Sequence, residues 1–143
     1  MIIGMISNSS YSGDYSKNPF NFKNMNTNFL EVSVDGQPIP NRALRPDYPN
    51  GDFVSSYLTL LDNHFGRKKG LIIKLSDYAD GYNLYLFDIQ SFLSGKIMSK
   101  STSGHVRINI NFGSPLVETI NILVYAKFSE ILSIDQSRNI TIK

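Results

Sequence analysis

Apolar and polar residues alternate along much of this chain, most cleanly in its last third. From His105 to Phe112, Val106, Ile108, Ile110 and Phe112 interleave without a break with His105, Arg107, Asn109 and Asn111. After a turn at Gly113-Ser114-Pro115, Ile120, Ile122, Val124, Ala126 and Phe128 mark one face, and Thr119, Asn121, Leu123, Tyr125 and Lys127 the other. A period of two belongs to a β-strand, whose successive side chains point to opposite faces of a sheet. The same period predicts a strand from Asn28, with Leu30, Val32 and Val34 opposed to Glu31, Ser33 and Asp35. Asp35-Gly36, a strong turn dipeptide, stops it. Ile2 to Ser7, Leu71 to Leu75 and Tyr82 to Asp88 read as further strands, with a turn at Asp80-Gly81. Strand character returns around Ile131 to Ile134 and at Ile140 to Ile142.

Only one segment carries a helical period. Between Asp52 and Phe65, the residues Phe53, Tyr57, Leu60, Leu61 and His64 form one stripe, with Asp52 placed to cap the start and Gly66 to end it. Ile89 to Leu93 suits a short helical turn. Pro38, Pro40, Pro46 and Pro49 make the stretch before the helix irregular or edge-like, because proline has no N–H to give a central strand. Pro19 likewise keeps Asn18 to Phe22 in a loop, with its phenylalanines anchoring that loop onto a sheet. The Ser-rich stretch from Ser99 to Gly104 is expected to be mobile. About eight short strands with one helix inserted at roughly 52–65 predict an all-β fold, a jelly-roll β-sandwich, filling residues 1–143 as a single domain.

Composition narrows the chemistry. With 143 residues and no internal repeat, the chain is long enough for one proper core. The 14 basic and 12 acidic residues leave a formal net charge of +2, too weak a field to hold nucleic acid or an anionic membrane by charge alone. Cysteine is absent, which removes disulfides, thiolate nucleophiles and sulfur-ligated metals. No apolar run has the length of a membrane-crossing helix, and Met-Ile-Ile-Gly-Met-Ile is too short and uncharged for a signal peptide, so the expectation is a soluble intracellular protein. The 8 Tyr and 9 Phe, without Trp, join an Asn-rich set at Asn18, Asn21, Asn24, Asn26 and Asn28. Such a surface suits strands joined by polar turns, or one covered by neighbours.

Catalytic and ligand-binding patterns do not assemble. His64 and His105 are the two histidines, and neither has a second His or an acid at metal-ligand spacing. Asp77, Asp80 and Asp88 lack the ligand periodicity of a calcium loop. Gly66-Arg67-Lys68-Lys69-Gly70 lacks the glycine spacing and the Lys-Ser/Thr pair of a phosphate loop. No G-x-S-x-G elbow is present. Asn8-Ser9-Ser10 and Asn139-Ile140-Thr141 match the glycosylation sequon, but without a secretory signal they read as chance matches. The strand faces offer few basic residues beside their aromatics, unlike an RNA-binding sheet. The residues therefore point to a protein without enzymatic activity, cofactor or metal.

The order of short motifs is more informative than any one of them. Ile2-Ile3-Gly4, Gly13 and Asn18-Pro19-Phe20-Asn21-Phe22 are followed by Asp35-Gly36 with Pro38 and Pro40, then Pro46-Asp47-Tyr48 and Gly51. The helix with Tyr57 and Leu60 comes next, then Tyr78, Gly81-Tyr82 and Phe87-Asp88. The series closes with Val106-Arg107-Ile108, Phe112, Leu116, Glu118-Thr119-Ile120-Asn121, Val124-Tyr125-Ala126, Phe128, Ile134-Asp135 and Arg138-Asn139. In this order the chain resembles the C-terminal jelly-roll portion of the double jelly-roll major capsid protein (hexon-like) of Polinton/Maverick elements and adintoviruses, a family with endogenous copies in animal genomes.

That resemblance implies a structural viral protein of the virion. Family members carry two rolls in one chain, and three chains form a pseudo-hexameric capsomer of an icosahedral shell. The present sequence matches the second roll and lacks the first. The implied partners are copies of itself or related capsid chains, as a trimer, with no specific nucleic acid and no membrane. Insertions between jelly-roll strands commonly carry contacts. The expected subunit contacts are therefore Pro19, Phe20 and Phe22 in the first loop, Pro38, Pro40 and Tyr48 in the Pro-rich stretch, and Phe53 and Tyr57 on the helix. Two other functions fit the same residues. One is a host-retained capsid fragment that interferes with assembly of related viruses, and the other is a glycan-binding jelly roll using Tyr and Asn side chains.

Overall fold

A computed structural model describes residues 1–63, 73–89, 104–127, 132–134 and 140–142. In chain order these contain β1 (Ile2–Ser7), α1 (Asn8–Tyr11), β2 (Phe22–Lys23), β3 (Thr27–Val34), β4 (Gln37–Leu44), α2 (Val54–Asn63), α3 (Leu75–Ala79), β5 (Asp80–Gly81), β6 (Leu84–Leu86), β7 (Val106–Phe112), β8 (Ile120–Tyr125), β9 (Leu132–Ile134) and β10 (Ile140–Ile142). The fold is all-β and antiparallel. One sheet has the order β6-β1-β8 and a second the order β4-β3-β7, while β2–β5 and β9–β10 are two-stranded pairs. The pairing is nested: β1 lies against β8, and inside that pair β3 lies against β7. A long hairpin rolled over a core gives this wiring, which is that of a jelly roll.

The alternation read from the sequence sets the faces. Ile3 and Met5 of β1, Leu30 and Val32 of β3, Leu44 of β4, and Tyr85 with Phe87 bury one common core between the sheets. On the other side of β1 and β6, Ile2, Leu84 and Leu86 meet Leu60 of α2, Tyr78 of α3, and Phe53 and Tyr57. The strand β1 is thus covered on both faces. At Gly4 there is no room for a side chain, since an added Cβ would stand 2.8 Å from both Leu84 Cδ2 and Phe22 Cδ1. The Phe22 ring is therefore the anchor that the loop expectation required, whereas Phe20 stays 72% exposed.

The Asp35-Gly36 turn forms as expected, with φ of 50° and 82° at its two residues. This double left-handed geometry is what a two-residue hairpin needs to match strand twist. The prolines that follow sit in β4, an edge strand. Its register against β3 jumps from Val32↔Ile39 to Leu30↔Leu44, so β4 bulges over the stretch that contains Pro40.

Two expectations are corrected. The helix begins at Val54, because the Asp52 backbone is already paired with Asp47 (N–H to O, 2.9 Å, and the reverse, 2.7 Å). Phe53, whose carbonyl accepts the Tyr57 N–H at 3.1 Å, holds the capping position. The strand expected over Leu71 to Leu75 is also absent in its described part, where Leu75 opens α3. A short apolar run without alternation does not separate strand from helix. Here one helical turn drops Tyr78 fully into the outer cluster. His64, Gly66, Arg67 to Gly70 and most of Ile89 to Leu93 and Ser99 to Gly104 lie outside the described residues.

Candidate subunit interface

The two flanks of the sandwich differ. On one, the edges β4 and β6 are bridged by the segment that leads from β4 into α2. Pro46 is fully buried there. The Tyr48 hydroxyl meets the Tyr85 hydroxyl at 2.8 Å and accepts from Asn83 Nδ2 at 2.7 Å. The Tyr48 ring stacks on Phe53 at 5.2 Å, Phe53 on Tyr78 at 6.3 Å, and Tyr57 meets Tyr78 edge-on at 5.5 Å. Tyr57 also donates to the Ile73 carbonyl at 2.8 Å. This chain of rings joins the inner core to the outer cluster and seals that flank. Burial raises the tyrosines Tyr48, Tyr78 and Tyr85 above the usual phenol value, because a phenolate there would lose its water.

The opposite flank is open among the described residues. There β7 and β8 are the outer strands of their sheets. Cross-strand partners share a face, so Val124 and Ile122, opposite Ile3 and Met5, point inward. By the same rule Ile110, Ile108 and Val106, opposite Leu30, Val32 and Val34, point inward from the other sheet. Their partners Ile3, Met5, Leu30 and Val32 are fully buried, yet Val124 remains 47%, Ile122 44% and Val106 43% exposed. On the outward face of β8, Tyr125 is 69% exposed. The flank therefore presents apolar inner residues and two unpaired strand edges together, the combination that invites another chain.

The residues expected to make subunit contacts are divided by the structure. Pro19 and Phe20 are exposed in the loop between α1 and β2. Phe22 packs under Gly4. Tyr48, Phe53 and Tyr57 are spent on the sealed flank. Pro38 is half-buried in β4, and Pro40 belongs to the bulged part of the same strand. The open β7/β8 flank was not among the expected contacts. Its signal is present in the sequence, however. Both rows of β8, Ile120-Ile122-Val124 and Asn121-Leu123-Tyr125, are uncharged, unlike a strand with one solvated face.

Among the described residues no three acidic or histidine side chains gather where a metal ion would fit. Ser56 Oγ and Asn83 Oδ1 are buried without a hydrogen-bond partner among those residues. None of the described helices is long and apolar enough to cross a membrane.

No protein-family model matches the chain, and no solved structure matches it. It is similar to an uncharacterized protein of Caenorhabditis elegans, F54H12.2, with 26% identity over 146 residues. The match takes in 97% of this chain and 35% of that protein, so the chain spans about a third of the length of the relative.

Proposed function

We propose that the chain is a non-enzymatic, self-associating structural module, of the kind that builds the shell of a double jelly-roll capsid. One observation carries the reading, namely the contrast, among the described residues, between a flank sealed by Tyr48 and a flank left apolar and unpaired at β7 and β8. A monomeric sandwich blunts its edge strands with charges or covers them, whereas a building block leaves them for the next copy. The nested pairing of β1 with β8 and β3 with β7 supports the jelly-roll part of the proposal. The virion is the corresponding location, and the partners are further copies of the chain or related capsid chains.

Sedimentation equilibrium of the purified chain tests this directly. The expected result is an average mass that rises above that of one chain as concentration increases. A single species of 16.1 kDa across the whole range overturns the proposal.

A further inference from the structure

We propose that β8 is the self-association strand, pairing antiparallel with β8 of a second copy about a two-fold axis, so that two three-stranded sheets become one continuous six-stranded sheet. The inference rests on the self-association reading above and adds the site, the partner and the geometry.

Three observations support a second copy as the occupant. First, among the described residues β8 is paired along only one side, by β1 over the whole of Ile2 to Ser7, which fixes its register and leaves its other edge without a partner there. Second, Ile120–Tyr125 carries no charged side chain, and Ile120, Ile122, Val124 and Tyr125 are strand-forming residues. An edge of that composition lacks the charges with which monomeric proteins block pairing. Third, the charges that flank it are of opposite sign at opposite ends, Glu118 before the strand and Lys127 after it. Antiparallel pairing brings the acidic end of one copy to the basic end of the other, whereas parallel pairing sets like charges together. The Glu118 carboxylate is already held at this end, accepting from Ser7 Oγ at 2.6 Å.

The geometry restricts the register. A two-fold axis normal to a sheet keeps each residue on its own face, so one residue of β8 must meet itself across the axis. The midpoint between Glu118 and Lys127 falls between Ile122 and Leu123, which leaves these two as the centres. In either register Ile120, Ile122 and Val124 of one copy extend the inner row of the other. The half-exposed residues of the open flank then gain apolar neighbours from both molecules.

The absence of cysteine makes the test clean. Directly opposed strand residues lie about 4.5–5.5 Å apart at Cα, within the reach of a disulfide. Under mild oxidation, Leu123→Cys or Ile122→Cys is expected to form a covalent dimer in high yield, and the one that does so marks the centre. Val117→Cys, fully exposed in the β7–β8 connection, reports random collision and is expected to stay monomeric. Val124→Lys is expected to weaken association at least about tenfold while leaving the unfolding midpoint near that of the parent. Should that variant fail to fold, the cysteine variants, which add no charge and sit on a strand that is not fully buried, still decide. If association persists unchanged in V124K and neither I122C nor L123C cross-links above V117C, β8 pairing is overturned and self-association stands. A monomer at every concentration overturns both.

Discussion

At Gly4 the backbone of β1 runs so close to Leu84 and Phe22 that no side chain fits without displacing them, since the nearest atoms would be 2.8 Å from a Cβ. Gly4→Ala is expected to destabilise the chain by about 1–3 kcal/mol through overpacking, measured by urea unfolding. The hydroxyl of Tyr48 matters for a different reason. It meets Tyr85 and accepts from Asn83, so its removal leaves two buried groups short of a partner, while removal of the Tyr85 hydroxyl leaves Tyr48 still bonded to Asn83. Tyr48→Phe is therefore expected to cost about 2–3 kcal/mol and Tyr85→Phe about 1 kcal/mol in the same assay. Equal costs would show that the two hydroxyls are not joined in this order.

Among the elements, the β3–β4 hairpin depends on its turn. Gly36 has φ of 82° and nothing within 4 Å of an added Cβ, so a substitution there meets strain from the backbone alone. Gly36→Ala is expected to lower stability by about 1 kcal/mol, with no change in the dimensions of the folded protein. Asp35 strengthens the same corner by a second route. Its N–H donates to the His105 carbonyl at 2.9 Å, and its carboxylate accepts from the His105 N–H at 2.8 Å. This ties the hairpin to the start of β7. The helix α2 is held to the sheet by Thr59, whose hydroxyl accepts the Leu86 N–H at 3.3 Å. Elements with a clear period were legible from the sequence for a physical reason, in that β3, β7 and β8 alternate because one face meets the core. By contrast α3 was not, because Leu71-Ile72-Ile73-Lys74-Leu75 is too short a run to show either a strand or a helix period.

For the molecule as a whole, the buried tyrosines link the two apolar clusters and make stability depend on alkaline pH. Their folded-state acidities are pushed upward, chiefly by desolvation, so folding favours the neutral phenol. That stability is fully present below the unfolded phenol value of about 10 and declines as pH rises from there toward the folded values. The urea midpoint is expected to be level from pH 7 to 9 and to fall steadily above about pH 10, and Tyr48→Phe is expected to shrink that fall. A midpoint that does not fall up to pH 11 would show that the tyrosines are open to water. The expected contacts at Tyr48, Phe53 and Tyr57 illustrate what an aromatic sequence leaves undecided. A ring that seals a flank and a ring that binds a neighbour have the same composition, and only the position of Tyr85 and Tyr78 distinguishes them.

The sequence by itself determined the strand faces, the turn at Asp35-Gly36, the edge character of the Pro-rich strand and the all-β class, because each follows from local periodicity or backbone geometry. The tertiary structure alone decided which strands pair, which flank closes and where apolar residues remain exposed. Those outcomes depend on contacts between residues distant in the chain, such as Ile3 with Val124 and Val32 with Ile108, which no local pattern encodes.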